Sequence, residues 1–73
     1  MQKLNQILAD CFKISLEETS KNLTMNDVKN WDSLSHMNLI VTIEEEFKIE
    51  LSGDEIAEMT TFDQIREIVQ KHI

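Results

Sequence analysis

The sequence predicts an all-α protein: a four-helix bundle with a long loop between helices 1 and 2 and a short third helix. Three observations carry this expectation. The 73 residues include no proline and a single glycine, so few breakers interrupt the chain. Apolar residues recur at three- and four-residue steps, and β-branched residues alternate with polar ones over no useful length. Ser52-Gly53-Asp54-Glu55 and Thr61-Phe62-Asp63-Gln64 both have the capping-box form, a hydroxyl at the cap and Glu or Gln three residues on.

Leu4, Ile7, Leu8, Cys11 and Phe12 share one helical face, which predicts a first helix over residues 2–14 with Cys11 at a core position. From Ser15 to Asn30 the periodicity gives way to Ser, Thr and Asn, residues that bond to their own backbone and favour turns. Loops longer than about 12–15 residues need anchors in a compact domain. Leu16, Leu23, Met25 and Val28 are expected to supply them, with short helical turns inside the loop.

Asp32 or Ser33 can cap a second helix running to Phe47. Its apolar positions, Leu34, Met37, Leu39, Ile40, Val41, Ile43 and Phe47, cover more than one stripe, so some should be exposed. Two readings fit, a docking surface or a helix deeply set in a bundle. The first capping box starts a short helix over residues 53–59, with Gly53 freeing the turn. The second starts a last helix over residues 62–72, on which Ile65, Ile68, Val69 and His72 follow at helical spacing.

A chain of this length forms one domain, residues 1–73, with a modest core. Catalysis usually needs a rigid cleft with converging polar groups, so a binding or carrying role is favoured over an enzyme. Cys11 is the lone cysteine, which excludes an internal disulfide, and no Cys/His spacing fits a metal site. There is no apolar run near the roughly 20 residues that span a bilayer, and Met1-Gln2-Lys3-Leu4 opens no signal peptide. The expectation is a cytoplasmic, monomeric, soluble protein.

Up to Asn30 four basic residues balance four acidic ones; from Trp31 onward three face ten, so the whole net charge of −7 lies in the second part. That argues against nucleic acid as a partner and for proteins with basic patches, or simply for a solvated acidic face.

Asp32-Ser33 alone reads as an ordinary helix cap. Here it follows a long polar loop, opens an amphipathic helix as Asp32-Ser33-Leu34, and is followed by Ile43-Glu44-Glu45-Glu46-Phe47, Ile49-Glu50-Leu51 and Thr60-Thr61. In order and spacing, without a gap, these motifs resemble the acyl carrier protein family. The resemblance spans the chain and is strongest over residues 31–65.

The resemblance implies that a separate phosphopantetheinyl transferase, using coenzyme A and magnesium, attaches 4'-phosphopantetheine to Ser33. Acyl groups then ride on the terminal thiol, and the carrier itself catalyses nothing. A helix N-terminus suits the phosphate through its partial positive charge. The family's partner-contact positions fall on Asp32, Leu34, Met37, Val41, Glu44 and Glu45, which would meet basic docking patches on acyl-transferring or acyl-modifying enzymes. Its acyl-holding interior falls on Leu39, Ile43, Leu51, Ile56, Met59 and Ile65, residues that ordinary core packing also explains.

Some positions depart from the family pattern: Asn30-Trp31 replaces a Gly-containing turn, and Ser35, His36 and Asn38 stand where acids or small residues are common. They point to a carrier dedicated to a few enzymes. Three classes stay open: a carrier of fatty acyl groups serving fatty acid, lipid or related acyl biosynthesis, which the acidic helix favours; a carrier of aminoacyl, peptidyl or other specialised acyl groups; and an unmodified helical interaction module. Trp31 is either packing at the end of the bundle or a contact for the transferase or the arm. His36 is expected to face solvent or the phosphate. A Ser-His-Asp hydrolase reading fails, because neighbours on one helical turn build no oxyanion hole.

Overall fold

The computed structural model describes residues 2–73. Four helices appear in the expected order: α1 Gln2–Phe12, α2 Ser33–Phe47, α3 Gly53–Glu58 and α4 Phe62–His72. A 3-10 turn, Glu18–Ser20, lies inside the long loop.

α1 stops at Phe12 rather than at residue 14 because Lys13 takes a left-handed conformation, φ 56°, and Ile14 N donates back to Ala9 O at 3.1 Å. α2 ends the same way: Lys48 has φ 56° and Ile49 N donates to Glu44 O at 3.2 Å. Both are Schellman closures, and the apolar residue after each left-handed lysine, Ile14 or Ile49, packs against the core.

At α3 the capping box is complete: Ser52 Oγ accepts from Glu55 N at 3.2 Å and Ser52 N donates to Glu55 Oε1 at 3.0 Å. At α4 only half of it forms. Thr61 Oγ1 accepts from Gln64 N at 3.1 Å, but the Gln64 side chain takes a bond from Thr60 Oγ1 at 3.0 Å instead of reaching the cap backbone.

The core joins Leu4, Ile7, Leu8 and Phe12 of α1 to Leu39, Ile40 and Ile43 of α2 and to Phe62, Ile65, Ile68 and Val69 of α4. α3 buries none of its residues. Cys11 is half-buried rather than fully in the core, and burial raises its thiol pKa.

Of the four expected loop anchors, Val28 is buried, and Leu23 and Met25 pack partly against the core. Leu16 is not an anchor: it is 54% exposed. The neighbouring Thr19, fully buried, takes that place by donating its hydroxyl to Leu16 O. Polar bonds then fasten the loop to the start of α4: Phe62 N donates to Leu23 O at 2.9 Å, Asp63 N to Asn22 Oδ1 at 3.0 Å, and the Arg66 guanidinium to Thr19 O. An antiparallel bridge, Thr24 to Thr61, completes the seam.

Candidate functional site

Ser33 is the first residue of α2 and is exposed. Asp32, in extended conformation, is the N-cap, and its Oδ1 accepts from Ser35 N at 2.9 Å. That bond from the Ser35 backbone holds the Asp32 carboxyl below the usual aspartate range. The cap therefore fixes the turn that presents the Ser33 hydroxyl.

On the other side of Asp32 stands Trp31, only 4% exposed, with its ring centroid 4.8 Å from that of Phe12 and 5.6 Å from that of Phe62. Of the two sequence readings, packing is the one observed. The indole Nε1 donates to His36 Nδ1 at 3.0 Å, and His36 Nε2 lies 3.0 Å from the carbonyl oxygen of Ile56 on α3. His36 is thus half-buried between two partners, not a solvent-facing or phosphate-facing residue. Neither ring nitrogen is turned to Ser33, so the geometry also speaks against a Ser-His-Asp relay.

Residues before and after the helix cap meet here because Trp31 and His36 occupy the two positions of a hydrophobic staple, the residue before the N-cap and the fourth helical residue. Their stacked rings, 6.1 Å apart at 20°, are that staple. The spacing was a legible signal; the further bond to α3 was not.

Beside Ser33 a cleft of about 370 Å³ opens between α2 and α3. Met25, Ser33, His36, Met37, Ile56 and Ala57 form its walls. Of the positions the resemblance assigns to an acyl-holding interior, Leu39, Ile43, Leu51, Met59 and Ile65 are packed in the core, and Ile56 lines the cleft.

The positions assigned to partner contact lie together. At about 100° per residue, Leu34, Met37, Val41, Glu44 and Glu45 project from one side of α2, and the buried Leu39, Ile40 and Ile43 from the other. Leu34 is 73% exposed, Met37 51% and Val41 48%. Glu44 has a second engagement: its Oε2 accepts from Leu51 N at 2.9 Å and ties down the segment after α2.

Residues 2–70 match the family profile described as the phosphopantetheine attachment site. The chain belongs to the acyl carrier protein family. It is 32% identical over 73 residues to an acyl carrier protein of Buchnera aphidicola subsp. Baizongia pistaciae, covering 99% of this chain and 92% of that protein. It is 30% identical over 66 residues to one of Chlamydia trachomatis serovar L2, covering 90% and 86%. A third, from Thermosynechococcus vestitus, is 25% identical across the whole chain. The role of this carrier is accordingly to carry acyl groups, and its cofactor is phosphopantetheine. Among the described residues no helix is long and apolar enough to cross a membrane.

Proposed function

We propose that Ser33 is the attachment point of 4'-phosphopantetheine and that residues 1–73 act as one carrier domain. In this reading the chain is a cytoplasmic, monomeric shuttle that catalyses nothing itself. The observation that carries the assignment is the exposed Ser33 hydroxyl at the first position of α2, directly after a charged cap and at the mouth of a mainly apolar cleft. A separate phosphopantetheinyl transferase would join Ser33 Oγ to the phosphate of the arm, releasing the nucleotide half of coenzyme A. When bound, the arm supplies a thiol that holds cargo as an activated thioester.

The residues present fit such a group. The N-terminal turn of α2 offers partial positive charge to a phosphodiester, and Asp32 is already committed to Ser35, so it leaves the serine hydroxyl uncovered. A flexible tether at this point raises the local concentration of cargo at whichever enzyme the carrier has docked on.

Docking falls to Leu34, Met37 and Val41, flanked by Asp32, Glu44 and Glu45, against basic patches of acyl-transferring enzymes. The apolar side chains supply burial and the carboxylates supply steering. Incubation with coenzyme A, magnesium and a broad-specificity phosphopantetheinyl transferase, followed by intact mass measurement, tests the assignment. One phosphopantetheine on the native chain and none on Ser33→Ala is expected; an unmodified native chain would return the protein to the class of helical interaction modules.

The cargo reading has two forms, fatty acyl groups or the specialised acyl groups of a dedicated pathway. The bridge built from the unusual residues Trp31 and His36 favours a dedicated carrier. Elongation of acyl chains on it by fatty acid synthase enzymes at housekeeping rates would exclude that form.

A further inference from the structure

α3 is a loosely held wall. It buries none of its six residues, and its apolar contact with the core is the partly buried Ile56. On the side away from the cleft, Glu55 Oε2 meets His72 Nε2 of α4 at 2.8 Å. On the cleft side the tie is His36.

An indole N–H can only donate, so the Nδ1 of His36 that faces it must accept. The ring proton then sits on Nε2, aimed at the Ile56 carbonyl oxygen 3.0 Å away. Trp31 cannot yield, being packed against Phe12 and Phe62. The imidazole is therefore a strut from the aromatic core to α3.

We infer that His36 is a positioning residue that keeps α3 closed on the first turns of α2, and so limits how much of an acyl chain the carrier can take in; this rests on Ser33 being the attachment point. The cleft at Ser33 holds about 370 Å³, near the lower end of ligand-sized pockets. In the core Leu39, Met59 and Ile65 are fully buried and packed. A chain longer than the cleft must either stay in water or push α3 outward, and moving α3 breaks the Nε2–H···O bond. The wild-type carrier thus presents short or polar acyl groups at its surface and does not enclose long apolar ones.

The test loads the protein with butyryl-, octanoyl- and dodecanoyl-phosphopantetheine from the corresponding coenzyme A thioesters, checks each by intact mass, and follows thioester cleavage by hydroxylamine. Wild type should be cleaved at similar rates for all three chains. In His36→Ala the octanoyl and dodecanoyl thioesters should be protected about fivefold, the shift expected from losing one neutral hydrogen bond, while butyryl is unchanged. His36→Gln, whose amide can accept from Trp31 and donate to Ile56, should restore the wild-type pattern. Trp31→Phe, which cuts the strut at its other end, should protect the long chains as His36→Ala does, and serves in its place if that variant does not fold. Loaded proteins with the same chain-length dependence in wild type and both strut-breaking variants would overturn the role of His36 alone; absence of any mass gain would overturn the attachment at Ser33 and this inference with it.

Discussion

Trp31 Nε1 and His36 Nδ1 lie 3.0 Å apart, a bond that spans the helix cap and selects the tautomer of the neutral imidazole. Nitrogen-detected NMR of the folded protein near neutral pH should find His36 as the Nε2–H tautomer, with Nδ1 bare. Replacing Trp31 by Phe should cost about 1 kcal/mol for the lost bond, and by Ala about 3–5 kcal/mol, since the indole is a core residue. Urea unfolding followed by circular dichroism measures both.

The two sides of α2 should respond oppositely to truncation. Leu39→Ala empties a fully buried site and is expected to cost about 2–5 kcal/mol. Leu34→Ala, at a position 73% exposed, should change stability by less than about 0.5 kcal/mol. Its effect should appear as slower modification by the phosphopantetheinyl transferase, read from intact mass against time.

Hydrogen bonds lower the pKa of two carboxyls: Asp32 chiefly through the Ser35 backbone, Glu55 chiefly through the Ser52 backbone and then through His72. Since the folded values lie below the unfolded ones, both groups stabilise the protein fully above the ordinary carboxylate range, about pH 4. That contribution is lost as pH falls through the lower folded values. Carboxyl-carbon NMR titration should give both midpoints below ordinary aspartate and glutamate, and Asp32→Asn should flatten the acid limb of the stability curve.

Lys13 and Lys48 both hold φ 56°, where an L side chain is strained. Lys13→Gly and Lys48→Gly remove that strain at the cost of a more flexible unfolded chain. Each should raise stability by about 0.5–1 kcal/mol, as thermal unfolding will read.

Burial raises the Cys11 thiol pKa and half-covers it. The unmodified folded protein should therefore react with a disulfide reagent at pH 8 more slowly than the same chain in denaturant. After modification one further thiol, that of the arm, should react rapidly.

The bundle, its helix order and the position of Ser33 were legible because they are local or periodic. Capping residues at Asp32, Ser52 and Thr61 announce their helices within three residues of chain, and apolar spacing marks the faces of α1 and α4. The exposed stripe of Leu34, Met37 and Val41 was legible as an excess of apolar positions on α2, although the periodicity could not say which of them the fold would leave outside.

What the tertiary structure alone decided joins residues distant in sequence. Leu16 looked like an anchor from its type, but Thr19 took the buried place because the loop follows the backbone and guanidinium bonds that fasten it to α4. Glu44 was assigned to partner contact, but its carboxylate also accepts from the Leu51 N–H. His36 looked like a polar residue of a helix surface. Its neighbour Trp31 gave a staple by spacing, but the acceptor of the one ring proton of His36, the Ile56 carbonyl, is twenty residues away and belongs to a helix whose placement no local pattern fixes. Local propensity thus set the elements and the serine at the start of α2. The packing of α3 set the size of the cleft beside it, because a backbone carbonyl carries no mark in the sequence of the side chain it will meet.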